Sequence, residues 1–268
     1  ILYALRVPKL HNGNSFAPVS RETLLLVNSV LLCVATAAVL LGTIYPLIVE
    51  ALGMGKLSVG EPYFNAVFVP LMAPVAVAVG IGMIARWRAD EWSRIRAHLA
   101  AAAGGSLVLG LVLVAMLADE YSIRAALGAV LGLWILFATV AAVKDRVRNA
   151  PGLRAGLSGL PSGYLGMCLA HAGFAFAILG VSITSQYSTE IHRRMGVGDT
   201  VEFSGYAVTL EALREVEGPN YSATEGVFGI YRGTEPVTVL RSQKRFYPVA
   251  GASMTEAGID GGLFRDLY

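Results

Sequence analysis

Five stretches of this chain, 24–46, 63–85, 99–118, 124–143 and 164–184, are almost continuously apolar. Each reaches the roughly 20 residues that a helix needs to cross a bilayer. Helices also satisfy their own backbone groups in hydrocarbon, so five transmembrane helices are predicted. Only "DEYSI" separates the third run from the fourth, which predicts a tight helical hairpin. After residue 185 the pattern changes. The runs "VEFSGYAVTLEAL", "YSATEGVFGIYRG" and "PVTVLRSQKRFYP" alternate apolar and polar positions, punctuated by Gly-Asp, Ser-Gly, Gly-Pro-Asn and Arg-Gly. That is the pattern of strands joined by turns. The expected fold is an α-helical polytopic membrane domain, 1–185, followed by a small antiparallel β sheet or barrel, 186–268.

Composition agrees with the pattern. Of 268 residues, 55% are hydrophobic and 15% charged, and mean hydropathy is +0.59. Soluble domains carry about 25% charged residues. The net charge of +2 hides a division: residues 1–185 hold 13 Lys/Arg against 8 Asp/Glu, and 186–268 hold 8 against 11. Charge also orients the spans. Arg6, Lys9 and Arg21 precede the first run. Arg86, Arg88, Arg94 and Arg96 follow the second, and Lys144, Arg146, Arg148 and Arg154 follow the fourth. The alternate loops hold Lys56, with Arg124 at a boundary. The positive-inside rule puts the basic segments in the cytoplasm, and five crossings put everything after Thr184 outside. No nucleic-acid partner is expected. The two cysteines, Cys33 and Cys168, lie in apolar runs and form no CxxC, so neither a redox pair nor a zinc site is indicated.

Candidate chemistry centres on "MCLAHAGFAFAILGVSI", where His171 sits in an otherwise apolar span. Ionisable groups at such depth are costly and face a bundle interior or a site. Gly166, Gly173 and Gly180 recur every seven residues, predicting a seam for close approach of another helix. Helical geometry turns His171 about 200° from Gly173, on the side of Phe174, Ala175 and Ile178. Two readings stand: an axial ligand to haem iron, or a ring hydrogen-bonded to a neighbouring helix through Asn28 or Asn65. Asn65, Pro70 and Pro74 interrupt the second run and predict a bend. His11 and His98 are expected at the cytoplasmic edges, solvated. His192 in "TEIHRRM" is read as a surface residue, with a haem or partner contact as the alternative. Arg241, Lys244 and Arg245, beside Phe246 and Tyr247, suit either a carboxylate or partner surface or a solvated strand edge. "GMGKLSV" lacks the first glycine and the Ser/Thr of a phosphate loop.

Several long stretches resemble the C-terminal half of the CcmF family, the large membrane subunit of the cytochrome c haem lyase in the bacterial multi-component maturation pathway. They are "SRETLLLVNSVLL", "LLGTIYPLIVEALGMGKLSVGEPYFNAVFVPLMAP", "HAGFAFAILGVSITSQYS", "GPNYSATEG" and "KRFYPVAGASMTEAGIDGGLFRDLY". The resemblance implies haem attachment to apocytochrome c on the periplasmic side of the bacterial cytoplasmic (inner) membrane. It also implies work with the haem carrier CcmE and a CcmH-type thiol protein. Family members hold a haem b in the membrane, and His171 matches the position of one axial histidine. The resemblance gives that haem the role of reducing incoming haem iron.

The family's tryptophan-rich motif and second membrane histidine have no counterpart here; Trp87, Trp92 and Trp134 form no cluster. The expectation is therefore a piece of a longer protein, or a subunit of a split one, with the second axial ligand elsewhere and no lyase activity alone. The alternative function is a non-catalytic scaffold that docks the apocytochrome and the haem carrier. A transporter or respiratory-chain subunit is disfavoured, because no carboxylate or lysine stands mid-span.

Overall fold

The computed structural model describes residues 17–117, 120–262 and 265–268. His11, Arg6 and Lys9 lie outside the described residues. The chain divides into two compact units, Ile1–Ser188 and Thr189–Tyr268.

The first unit contains α1 (Arg21–Ala51), α2 (Glu61–Ile84), α3 (Trp92–Leu117), α4 (Ile123–Val147), α5 (Leu153–Ser158) and α6 (Ser162–Tyr187). Five of these are long and apolar enough to cross a membrane. This is a multi-pass membrane protein. The helices outrun the apolar stretches at several ends, because helical hydrogen bonding continues into polar residues such as "WSRIRAH" at the start of α3. Side-chain caps set two of the starts: Ser20 accepts from the Thr23 amide at 3.2 Å, and Ser122 from the Ala125 amide at 3.3 Å. Pro70 and Pro74 do not end α2, which runs unbroken through them. The six-residue α5 carries no apolar run long enough to announce itself.

Helix α4 is the hub, packing against α2, α3 and α6. Its buried positions are mostly small: Ala125, Ala126, Ala129, Gly132, Ala138 and Ala142. Small side chains let three neighbours approach one helix closely, which is how membrane helices gain contact where no hydrophobic drive exists between them. Trp134 fills the space left by Gly80 on α2 and donates its indole N–H to the Val77 carbonyl at 3.3 Å. Helix α1 packs on α2 and buries only Ala35 and Gly42. Its exposed leucines, such as Leu41 and Leu47, suit contact with lipid.

Polar contacts tie the helix ends into two sets. At one end Arg21 donates to the Gly82 and Met83 carbonyls, at 3.1 Å each, satisfying open acceptors at the end of α2. Arg94 donates to the Ile84 carbonyl at 2.9 Å, pairs with Asp90 and lies 3.7 Å from Asp145 near the end of α4. The hydrogen bond from Arg94 holds the Asp90 carboxyl down at about 2. At the opposite end the Ser122 hydroxyl donates to Gln186 Oε1 at 2.9 Å, joining the start of α4 to the end of α6. The residues 86–98 and 144–163 thus share the first end, as the alternation of basic loops predicts.

The second unit is a five-stranded antiparallel meander, in spatial order β1 (Thr200–Phe203), β2 (Tyr206–Glu217), β3 (Ser222–Arg232), β4 (Glu235–Tyr247) and β5 (Ala252–Glu256). A two-stranded ribbon, β6 (Asp260–Gly261) and β7 (Asp266–Leu267), follows. The single run "VEFSGYAVTLEAL" becomes two strands, because Ser204 and Gly205 both take positive φ, 49° and 78°. Two consecutive positive φ values make the tight turn that matches strand twist. Strand β4 pairs with β3 along its length and with β5 over Gln243–Tyr247, so Lys244 and Arg245 do not lie on a sheet edge, whereas Arg241 pairs with β3 alone.

Candidate functional site

Helix α6 carries the candidate site. Its more buried positions, among them Tyr164, Cys168, His171, Ala175, Ile178 and Ser182, form a stripe with a spacing of three or four. Such a stripe faces a single neighbour. Ala175 is fully buried, and it belongs with Phe174 and Ile178 to the main apolar cluster. His171 lies nine residues into α6 from Ser162, about 14 Å along the axis at 1.5 Å per residue.

The glycine seam differs from expectation. A carbon added at Gly166, Gly173 or Gly180 would meet nothing within 4 Å, so that face is open among the described residues. The close approach is made by glycines of α4 instead. At Gly132 an added carbon would lie 2.7 Å from Leu179 Cγ and 3.0 Å from the Ala175 carbonyl oxygen. At Gly128 it would fall on the Ser182 side chain. The stripe that includes His171 is therefore the packed side of α6, and the imidazole points away from the helix's own glycines, as its spacing predicts.

The ring itself is half-buried, with Nδ1 2.7 Å from the Met167 carbonyl oxygen one turn earlier. A carbonyl only accepts, so Nδ1 carries the hydrogen, and in the neutral ring Nε2 keeps its lone pair. Metal-binding histidines take this arrangement, in which a backbone carbonyl fixes tautomer and orientation. Neither asparagine named above bonds to the ring among the described residues. Asn65 donates to Glu61 within α2 at 3.0 Å, and the buried Asn28 Oδ1 has no partner. No group of three or more His, Cys, Asp or Glu side chains is placed to hold a metal among the described residues. His171 thus offers one ligand and no more.

The other candidates separate from this site. The His192 ring is 90% exposed, with Nε2 3.3 Å from Glu190 Oε1. Arg245 stacks over Tyr221 at 4.5 Å and pairs with Glu256 at 3.2 Å, so its charge is already answered within the sheet. His98 is not simply solvated: it is half-buried and lines a groove between α3 and α4. The two helix strips that build this groove are spaced i, i+3, i+4 and i+7, a signal present in the sequence but silent until the helices are paired.

Comparison with known proteins places the fold and the helix in context. Residues 186–268 match the family described as the CcmF C-terminal beta-sandwich. A cytochrome c-type biogenesis protein CcmF of Pseudomonas aeruginosa is 41% identical across 100% of this chain and 40% of its own length. The Escherichia coli protein of the same name is 40% identical, again over 100% and 40%. This chain carries the CcmF C-terminal domain and is similar along its whole length to CcmF proteins. A solved structure named cytochrome c heme lyase CcmF superposes with a TM-score of 0.65 at 25% identity, covering 92% of this chain and 39% of the other. The chain corresponds to the C-terminal part of CcmF and spans about two fifths of the length of the curated relatives it matches.

Proposed function

We propose that this chain is the part of a cytochrome c haem lyase that holds one side of a membrane haem b, with His171 as an axial ligand. The observation that carries the reading is the geometry of that ring. It is half-buried on the packed stripe of α6, with Nδ1 committed to the Met167 carbonyl and Nε2 free. The residues fit the group: an unsatisfied nitrogen beside Phe174, Ala175 and Ile178 suits an apolar porphyrin rim. When bound, haem supplies one-electron chemistry at a potential set by its ligands and their surroundings. The chain's own contribution is to orient the imidazole through Met167 and to keep water from it with that apolar wall. The second ligand comes from outside these residues.

The names of the relatives and of the solved structure support the reaction class, haem attachment to apocytochrome c. We place residues 1–185 in the bacterial inner membrane and 186–268 in the periplasm. The gathering of Arg21, Arg86, Arg94 and Lys144 at one end of the helices supports that orientation. The periplasmic unit is then positioned to meet the apocytochrome, the haem carrier CcmE and a CcmH-type thiol protein.

The test is His171→Ala in the full-length protein, purified from membranes and examined by absorption spectroscopy. Loss of the membrane haem with the polypeptide still inserted is expected. A full haem complement sinks the ligand assignment and leaves the scaffold reading, in which His171 only packs.

A further inference from the structure

Between α3 and α4 lies a groove of about 320 Å³. Each helix contributes one strip at spacing i, i+3, i+4 and i+7, from His98 to Gly105 on α3 and from Phe137 to Lys144 on α4. The helices are antiparallel neighbours, so His98 and Lys144 share one end and Gly105 and Phe137 the other. Seven residues at 1.5 Å make this about 10 Å of groove. A carbon added at Gly105 would lie 3.3 Å from the Phe137 ring, and alanines line the space between. Small residues here leave room that larger ones would fill.

The polarity of the groove is graded. Its body is apolar, and its only two ionisable linings, His98 and Lys144, stand at the end where Asp90, Arg94 and Asp145 gather. Both carboxylates there are engaged by arginines, Asp90 by Arg94 and Asp145 by Arg94 and Arg148. Lys144 makes no ion pair among the described residues. His98 donates Nδ1–H to the Arg94 carbonyl at 3.3 Å, which orients its ring at this end of the groove. A bare helix surface laid over this strip would answer the apolar body and leave the basic end without counter-charge. A phosphodiester on an acyl chain answers both, and basic pockets between membrane helices on the basic side of the bilayer select anionic headgroups.

We propose that this groove is a site for an anionic phospholipid, its phosphate against Lys144 and His98 and one acyl chain along Gly105 and Phe137. The site is independent of whether His171 holds iron. It gives the α3–α4 hairpin a lipid anchor on the hub helix.

The full-length protein is examined by native mass spectrometry after exchange into phosphatidylglycerol or phosphatidylcholine of identical chains. The wild type is expected to retain the anionic lipid preferentially. Lys144→Ala lowers that preference roughly fivefold, the weight of one basic residue near an anionic surface. His98→Ala lowers it further, and Lys144→Arg keeps it. Gly105→Leu, which fills the groove, reduces retention of both lipids. Equal retention of the two lipids by the wild type overturns the proposal, as does a preference that survives the Lys144→Ala, His98→Ala double variant. Should Gly105→Leu fail to fold, those two surface changes decide alone. A protein segment covering the groove is distinguished by Val140→Cys in a cysteine-free background. Labelling of that thiol by an apolar maleimide once lipid is stripped supports the lipid; protection in the stripped protein overturns it.

Discussion

The contact between α4 and α6 sets the position of His171, and a matched pair of substitutions tests it. Gly132→Val adds three carbons where a single added carbon already lies 2.7 Å from Leu179 Cγ and 3.0 Å from the Ala175 carbonyl oxygen. Ordinary contact distances require α6 to retreat by about 0.5–1 Å, a gap that forfeits a quarter to a half of each dispersion well across the contact. Overpacking of this kind costs about 1–3 kcal/mol. The gain in helix propensity from replacing glycine returns only a few tenths, so a net loss of about 2 kcal/mol is expected. Gly173→Val adds the same carbons to α6 where nothing lies within 4 Å, and its expected change is near zero. The assay is thermal unfolding of the 268-residue chain in detergent, with Cys33→Ser so that a thiol-reactive dye reports Cys168 on α6. A lowering of about 4–8 °C is expected for Gly132→Val, taking 2–4 °C per kcal/mol at this size. Equal shifts for the two variants, or a larger one for Gly173→Val, would refute the assignment of the packed face.

Other expectations follow from single contacts. Asp90 is held at about 2, chiefly by its hydrogen bond from Arg94. A depressed carboxyl contributes stability above its ordinary value, which is lost as pH falls from about 4 toward 2. Asp90→Asn should lower stability at pH 7 by about 1–2 kcal/mol and flatten that acid loss; an unchanged acid limb in a melting series contradicts it. Glu225 is buried in the sheet, 8% exposed, and accepts from Gln243 Nε2 at 2.8 Å. Gln243→Ala leaves that carboxylate short of a donor, and urea titration of the chain should show a loss of about 1–3 kcal/mol. At the β1–β2 turn, Gly205→Ala places a side chain at φ 78° and should cost about 1 kcal/mol. Ser204→Asn at the neighbouring position should be neutral or stabilising in the same titration, because asparagine tolerates that backbone region better.

The sequence exposes some of these features more readily than others. The membrane helices are legible because hydrocarbon demands a minimum apolar length, which 24–46 and 63–85 meet without a charge. Their true ends are not, because the backbone ladder continues past the last apolar residue, as at Trp92–His98. The face of His171 is legible because 3.6-residue periodicity groups it with Ala175 and Ile178. The partner of that face is not. Gly166, Gly173 and Gly180 on α6 look as suited to close packing as Gly128 and Gly132 on α4, and only the pairing of helices tells them apart. The turn at Ser204-Gly205 is legible as Ser-Gly punctuation, although the alternation runs on through it, since a two-residue hairpin preserves the pattern. His98 shows the same limit. Its strip of alanines and Gly105 becomes a groove only when Phe137, Ala141 and Lys144 are brought opposite.

The most direct test is an experimental structure of the full-length, pigment-bearing protein, read at the His171 ring. Iron bonded to Nε2, with Nδ1 still donating to the Met167 carbonyl, is the predicted result. A haem held by other side chains, with that nitrogen facing only neighbouring helices, contradicts the ligand assignment.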